Sequence, residues 1–184
     1  MNTQELWQCY DEQGQPIMTA GATREAVFAG LLHGSAHVWI WRRVGENVEV
    51  LLQKRAAGKQ TWPNLYDISA AGHIDYGETP IIAARRETKE EIGLDLSDTD
   101  LRFIGVHRTY MVAGQGDIEN ELRWLYLHEL STDIDFNLQT DEVESLIWKP
   151  LEVFATECTG LSYVPHAPEF YALIVTAIRL AARS

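Results

Sequence analysis

Only two cysteines, Cys9 and Cys158, occur among the 184 residues of this sequence. They lie far apart and form no CxxC motif or Cys/His cluster, so the sequence predicts neither a disulfide framework nor a structural zinc site. A chain of this length buries roughly two thirds of its unfolded surface and needs no such support. Unpaired thiols are typical of the reducing cytoplasm, which is the expected location.

Basic residues are also scarce. Lysine and arginine total 15 against 27 aspartates and glutamates, which gives a formal net charge of −12, and no basic run interrupts the sequence. Such a surface repels a phosphate backbone, so polymeric nucleic acid is not an expected partner. If the ligand is a small anion, local cations must recruit it. A bound divalent metal ion would supply that charge.

Long apolar runs are missing as well. The start, MNTQELWQ, lacks the features of a signal peptide, and the longest apolar stretch, YALIVTAIRLAA at 171–182, is too short to span a bilayer and contains Arg179. We therefore expect no membrane association. No repeat or linker divides the chain, which predicts a single domain over 1–184.

Hydrophobic patterning predicts an α/β protein. An N-terminal β-hairpin is expected at about 1–22 around the turn residues DEQGQ, and a short helix from Thr23 through AVFAGLL. Strands that alternate with helices imply a mixed sheet covered on both faces. The remaining predicted elements are strands at AHVWIW, VEVLLQK, LYDISAAG, LRFIGVHRTY, ELRWLYLHEL and SLIWKP, and a helix from about His166.

The clearest predicted helix runs from Pro80 to about Ile92. Thr79 is a suitable N-cap, Pro80 occupies the first helical position, and Gly93 is the C-terminal glycine. Its apolar stripe is weak because Thr88 is polar.

Three glutamates of this helix, Glu87, Glu90 and Glu91, are related by i+3 and i+4 and cluster on one side. The ordinary explanation is a solvated acidic face. Like charges at this spacing, however, destabilise a helix by a few tenths of a kcal/mol. The helix also follows a strand that ends at Gly72, and ligand sites of α/β proteins concentrate at strand ends. Both features weaken the explanation of a merely solvated face.

The segment 72–94, GHIDYGETPIIAARRETKEEIGL, places this helix within a longer pattern. It resembles the Nudix box at every position except Thr88, where the family usually has an aliphatic residue. The resemblance implies a Nudix-type α/β/α sandwich with a mixed β-sheet. It also implies an enzyme that hydrolyses a diphosphate linkage in a small molecule with Mg²⁺, or Mn²⁺ as an alternative.

The resemblance assigns roles within the box. Glu87, Glu90 and Glu91 are implied to be catalytic metal ligands, with the Gly72 carbonyl as a further candidate ligand. Water would then attack phosphorus at a site that holds two or three magnesium ions, because cations must neutralise the diphosphate oxygens and activate the nucleophile.

Five more residues are implied to support this site. Arg86, included among the catalytic residues, is expected to pair with Glu78 and fix the loop of the box. Glu142 resembles an acidic residue that many family members place near the attacking water. Glu119 and Glu121 alternate along a predicted strand and so face one side, with Glu121 the expected additional metal ligand. Which of Glu119, Glu121 and Glu142 assists catalysis stays open.

The resemblance extends beyond the box, over roughly 38–94 and more loosely to both ends. The segments AHVWIW, LLQKRAAGKQTWP and DISAAGHI resemble the Nudix branch related to isopentenyl-diphosphate isomerase. In that branch the loop that carries Arg55, Lys59 and Trp62 approaches the diphosphate. Arginine offers a bidentate fork and lysine a point charge, which suits a flexible anion. The alternative is ordinary surface charge.

Isomerisation of isopentenyl diphosphate is the alternative reaction. Ala71, however, stands in place of the isomerase cysteine, and Ala26 in place of a histidine ligand. Isomerisation needs a proton donor and acceptor, which alanine cannot supply, so hydrolysis is favoured. A non-catalytic nucleotide-binding regulator is a third alternative.

Four residues match metal-binding positions of the isomerase: His33, His73, Glu119 and Glu121. The two histidines are also typical packing residues.

The sequence leaves the organic part of the substrate open. A nucleoside diphosphate derivative, a dinucleotide, an isoprenoid diphosphate and a coenzyme are all compatible with it, as are a monomer and a homodimer. Several aromatic residues are candidates for stacking on a base, although aromatic residues in strands usually belong to the core: Trp39, Trp41, Trp62, Tyr66 and Trp124.

Overall fold

The structure is a computed structural model that describes residues 5–112, 116–132 and 134–184. Four α-helices are present in these ranges: α1 Arg24–Phe28, α2 Pro80–Ile92, α3 Leu151–Glu157 and α4 Pro168–Ala181. The strands are β1 His33–Val44, β2 Asn47–Arg55, β3 Tyr66–Asp67, β4 Ala70–His73, β5 Arg102–Val112, β6 Ile118–Glu129 and β7 Val143–Pro150.

These seven strands form one mixed sheet. Its main order is β3-β2-β1-β6-β5, while β4 pairs with β1 and β7 with β2. Only the β1–β6 pair is parallel within the described sheet; the other ladders are antiparallel. Strand β1 therefore lies at the centre, and the predicted mixed sheet is confirmed.

Alternating residues of β1 enter two separate hydrophobic cores. Trp39 packs with Phe154 and Phe170 of α3 and α4 on one face. Val38 and Ile40 pack on the other face, where α2 contributes residues such as Ala83 and Ile92. Because successive strand residues point to opposite faces, this alternation places helices on both sides of the sheet. The expected α/β/α sandwich is confirmed.

The prediction of one strand over LYDISAAG was wrong, because this segment changes partner midway. Tyr66–Asp67 pairs with β2, whereas Ala70–His73 pairs with β1. Ser69 lies at the change, where its Oγ accepts a hydrogen bond from Ile40 N at 2.8 Å and donates to Leu51 O at 2.6 Å. The serine hydroxyl thus bonds backbone groups of β1 and β2.

The N-terminal segment contains isolated bridges between Trp7 and Ala22 and between Tyr10 and Pro16 rather than two continuous strands. Residues 1–4 of the predicted hairpin lie outside the described residues. Helix α1 starts after Thr23, whose side chain accepts from Ala26 N, but it ends at Phe28, before the predicted AVFAGLL is complete. Gly30, with φ +103°, follows closely, in a backbone conformation that a helix cannot contain.

Helix α2 has the predicted bounds, and Gly93 ends it in the left-handed region at φ 75°. Thr79 occupies the N-cap position, but its side chain makes no capping hydrogen bond. Helix α3, which follows Pro150 directly, was not predicted. No helix in the described part of the chain is long and apolar enough to cross a membrane.

Candidate active site

A cavity of about 500 Å³ lies beside α2; we refer to it as the main cavity. Helix α1, the loop after β2, strand β4 and the segment before β7 contribute its other walls. The fold therefore brings segments distant in sequence to one place. Eight of the predicted site residues line this cavity: Arg55, Lys59, Gly72, Arg86, Glu87, Glu90, Glu91 and Glu142.

Arg86 connects the glutamates of the box. Its Nε and one terminal nitrogen donate to the two carboxylate oxygens of Glu78 at 3.1 and 2.9 Å, and the same terminal nitrogen donates to the His73 carbonyl at 2.9 Å. The other terminal nitrogen contacts Glu87 at 2.6 Å and Glu90 at 3.2 Å. Bidentate geometry of this kind is rigid, so one guanidinium holds the loop before α2 against the helix.

Glu87 and Glu91 are unusual because both carboxyl groups are largely withdrawn from water. The Glu87 side chain is 15% exposed, and Glu91 as a residue is 7% exposed. Burial raises the pKa of Glu87 to about 7 against the opposing effect of Arg86. Burial and the charge of Glu87 raise the pKa of Glu91 to about 8. Two neighbouring carboxyl groups in this environment favour a bound cation.

The donor set beside α2 fits a hard divalent ion because it consists of carboxylate oxygens. In the present arrangement, however, Arg86 contacts Glu87 and Glu90, while Glu91 Oε2 accepts from Ala71 N at 3.0 Å. The only three-residue group of metal-ligand atoms found in the described ranges lies elsewhere. It consists of His33, His73 and Glu121, whose ligand atoms lie within 4.8 Å of one another.

The two cationic side chains at the end of β2 and in the loop after it, Arg55 and Lys59, are both paired. Arg55 donates to Asp67 Oδ2 at 3.1 Å and to the Thr61 carbonyl at 3.0 Å. Lys59 forms an ion pair with Glu142. Burial and the charge of Arg55 lower the pKa of Lys59. The loop therefore presents two positive groups opposite the acidic helix, in a position that suits an anion held between them.

A smaller cavity of about 150 Å³, which we call the second chamber, adjoins the main cavity. The two share wall residues that include Arg55, Gly72 and His73. Trp62, Glu119 and Glu121 line the second chamber and not the main cavity. The structure thus separates these three predicted residues from the glutamates of α2.

Glu121 already has a cationic neighbour in this chamber. Arg123 Nε donates to its Oε2 at 2.5 Å, and His33 Nε2 lies 3.8 Å from its Oε1. Burial alone would raise the pKa of Glu121, but the charge of Arg123 outweighs burial and lowers it. His73 stacks on Trp7 with ring centroids 3.6 Å apart, and burial lowers its pKa to about 3. Both histidines therefore have packing or hydrogen-bonding roles besides any ligand role.

Several wall residues were not singled out from the sequence. In the main cavity the basic residue missed was Arg24, which donates to Gln60 at 2.8 Å. In the second chamber the missed residues are Ser35, His37, Asp67, Arg123 and His166. The sequence did contain one signal for the second chamber, since polar residues occupy alternate positions at the start of β1. Trp39 and Trp41, in contrast, are 0% and 2% exposed and belong to the core, not to a base-stacking surface.

The fold and site define an α/β/α sandwich with an acidic helix on the wall of a cavity, and comparisons with known proteins identify its family. Residues 31–171 match the NUDIX domain family. An uncharacterised Nudix hydrolase of Clostridium acetobutylicum is 32% identical over 145 residues, which cover 78% of this chain and 69% of that protein. The chain belongs to the Nudix family, as predicted.

A relative from the predicted branch also matches. An isopentenyl-diphosphate Delta-isomerase of Klebsiella pneumoniae is 30% identical over 160 residues, 85% of this chain and 80% of that protein. Among solved structures, an Ap4A hydrolase of C. elegans superposes with a TM-score of 0.58 at 22% identity, covering 81% of this chain and 98% of that one. The C. elegans structure confirms the fold, and the family match together with the Clostridium acetobutylicum relative confirms the class, a Nudix hydrolase.

Proposed function

We propose that this chain, as a single domain over 1–184, catalyses the Mg²⁺-dependent hydrolysis of a diphosphate linkage in a small molecule. The observation that carries the proposal is the neighbouring carboxyl groups of Glu91, which is buried, and Glu87, which is largely buried, on the wall of a cavity that also presents Arg55 and Lys59. Carboxyl groups withdrawn from water can bind a metal ion, and the nearby arginine and lysine can bind an anion. The site therefore suits a negatively charged substrate that binds together with a metal ion.

Glu87, Glu90 and Glu91 would hold magnesium, with the Gly72 carbonyl as a further ligand. The metal supplies Lewis-acid stabilisation of phosphate oxygens and a more acidic bound water. Glu78 anchors Arg86. The other terminal nitrogen of Arg86 contacts Glu87 and Glu90 directly, so Arg86 would position these two glutamates.

Arg55 and Lys59 would bind the phosphate that does not react. Lys59 forms an ion pair with Glu142. When the substrate binds, its phosphate would replace the Glu142 carboxylate at the Lys59 ammonium group, and that carboxylate would be freed. Glu142 would then orient the attacking water. Trp62, at the second chamber, would contact the organic part of the substrate.

Glu121 would bind a cation together with His33 and His73, apart from the glutamates of α2. This grouping is the observation that favours the isomerase alternative. Against it, Ala71 lines both cavities. The two cysteines of the chain, Cys9 and Cys158, are buried and line neither of these cavities. A thiol for proton transfer is thus not available there.

Phosphate release from a panel of nucleoside diphosphate derivatives, dinucleotides, isoprenoid diphosphates and coenzymes, with Mg²⁺ or Mn²⁺, tests the function. Activity should vanish with chelator and return with metal. Turnover that survives exhaustive chelation would exclude the metal mechanism. Rearranged isopentenyl diphosphate without phosphate release would establish the isomerase instead, and tight binding without conversion would indicate a regulator.

A further inference from the structure

The second chamber lies on the sheet face that packs beneath α4, at the point where this face changes from hydrophobic to polar. On β1, Trp39 and Trp41 belong to the core beneath α4, and the preceding residues at the same alternation are Ser35 and His37. On β6, Leu125 belongs to this core. The residues at the same alternation before it, Glu121 and Arg123, line the chamber, and Arg123 pairs in register with Ser35. The same sheet face thus changes from apolar to polar where the chamber begins.

Most charged groups of this chamber are fixed by one another. Arg55 pairs with Asp67 at 3.1 Å, and Asp67 Oδ1 lies 3.1 Å from His166 Nε2. His166 Nδ1 lies 3.0 Å from a terminal nitrogen of Arg123, whose Nε bonds Glu121. A continuous chain of hydrogen bonds and ion pairs therefore runs along the wall and holds its side chains in place.

Two polar atoms stay outside this network. Among the described residues, Ser35 Oγ and His37 Nδ1 are buried and have no hydrogen-bond partner. Ser35 is 2% exposed and His37 5% exposed. A buried donor or acceptor without a partner destabilises a fold, and native proteins rarely retain one without a role. Both atoms belong to side chains that line the chamber, so a ligand bound there would supply their hydrogen-bond partners.

We propose that the second chamber binds a compact, hydroxyl-bearing organic group attached to the diphosphate, and that it disfavours an isoprenoid chain. This inference rests on the proposed function, because the shared walls at Arg55 and Gly72 connect the chamber to the diphosphate site. A volume of about 150 Å³ is that of a cavity which accommodates benzene, so the group has roughly six to ten non-hydrogen atoms.

Hydrogen bonding decides between the two kinds of substrate. Hydroxyl groups both donate and accept, so they satisfy Ser35 Oγ and His37 Nδ1 in either tautomer. A hydrocarbon chain in the same place would expel water from Arg123 and Glu121 and leave both unpaired atoms without a partner. Sites built to bond a substrate hydroxyl reject analogues that lack it far more strongly than apolar pockets reject an extra methylene.

Calorimetric binding with Ca²⁺ in place of Mg²⁺ tests the inference apart from turnover. The two ligands are ribityl diphosphate and isopentenyl diphosphate. Each has an organic group of five carbons, but the ribityl group carries four hydroxyls and the isopentenyl group carries none. We expect the wild-type protein to bind ribityl diphosphate at least roughly tenfold more tightly. Equal affinities, or binding of neither ligand, would overturn the inference. Phosphate release from other diphosphates would still support the proposed function in that case.

Ser35→Ala removes one unpaired hydroxyl and should reduce the ratio of the two affinities several-fold, chiefly by weakening ribityl diphosphate. Ser69→Ala is the matched control, because Ser69 is an equally buried serine whose Oγ has two backbone partners outside the chamber. It should lower stability and leave the ratio unchanged. A ratio that Ser35→Ala does not alter would contradict the inference, and the wild-type comparison stands even if a variant does not fold.

Discussion

Gly72 lies directly against the carboxyl group of Glu87. A Cβ atom on residue 72 would be 2.1 Å from the Glu87 carboxyl carbon, a distance that real Cβ atoms do not show. The end of the Glu87 side chain therefore occupies the space that a side chain at residue 72 would need. This contact gives the first glycine of the box a steric role besides any role of its carbonyl.

Gly72→Ala should therefore displace the Glu87 side chain rather than unfold the protein, because the obstructed group is the end of a flexible side chain. A displaced metal ligand lowers transition-state stabilisation, so we expect kcat to fall at least tenfold. Steady-state kinetics and thermal melting measure both effects. Gly58→Ala is the control, since a Cβ there meets nothing within 4 Å although Gly58 also lines the main cavity. Full activity of Gly72→Ala would show that Glu87 is not needed in its present position.

Glu91→Gln should separate catalysis from stability. The charged form of Glu91 is disfavoured, because burial and Glu87 raise its pKa to about 8. A glutamine oxygen can still accept from Ala71 N, which is 3.0 Å from Glu91 Oε2. In chelator we therefore expect this variant to melt at or slightly above the wild-type temperature. Loss of a metal ligand should lower kcat by roughly a hundredfold or more.

Glu90→Gln serves as the exposed counterpart, because the Glu90 side chain is 54% exposed and contacts Arg86 at 3.2 Å. Its melting temperature should stay close to wild type, since exposed ion pairs contribute little, while metal affinity and kcat should fall. Melting curves with and without magnesium, together with turnover, test both variants. Glutamine variants that melt far below wild type in chelator would indicate that these glutamates are structural.

Lys59→Ala should affect substrate capture more than chemistry. If Lys59 binds the nonreacting phosphate, its loss raises KM more than it lowers kcat, the pattern of lost uniform binding. Lys54→Ala is the matched control, because Lys54 pairs with Glu144 at 2.8 Å and does not line the main cavity. An unchanged KM for Lys59→Ala would place this side chain outside the substrate site.

Arg55→Ala should also raise KM, but it carries a structural cost. Arg55 pairs with Asp67 at 3.1 Å, and the two side chains are 16% and 9% exposed. Removing the arginine leaves a buried carboxylate with less compensation, so melting must be measured beside the kinetics. A KM that rises while the protein stays folded would support phosphate binding.

Local signals were sufficient to predict helix α2, since Pro80 and Gly93 mark its ends, and they were sufficient to group Glu87, Glu90 and Glu91. They were not sufficient to predict the change of partner at Ser69, because that depends on hydrogen bonds to Ile40 and Leu51 far along the chain. The second chamber was missed for the same reason.

Glu121 shows that the spacing of residues in the sequence cannot by itself predict the contacts of a side chain. Its alternation with Glu119 was visible in the sequence, but the contact with Arg123 Nε at 2.5 Å and the separation from the glutamates of α2 are tertiary facts. His166 joins this site from the segment before α4, 43 residues beyond Arg123. A pattern confined to one strand cannot indicate such a partner.

The Asp67–His166 contact predicts how stability responds to acid. Burial alone would raise the pKa of Asp67, but the hydrogen bond and charge of His166 and the charge of Arg55 outweigh it and hold the pKa below the ordinary 3.8. A carboxyl group whose pKa is lowered by folding stabilises the protein above its unfolded pKa. That stability is lost as the pH falls through the folded pKa.

We therefore expect the wild-type melting temperature to decline as the pH falls from 5 to 3, and Asp67→Asn to decline less steeply over this range. At pH 7 the variant should be less stable by about 3 kcal/mol, because Arg55 and His166 lose a buried partner. Asp95→Asn provides the comparison, since Asp95 pairs with Lys89 at 2.7 Å but its side chain is 67% exposed. Its melting curve should follow wild type at every pH. Parallel acid profiles for wild type and Asp67→Asn would mean that Asp67 does not carry the acid sensitivity.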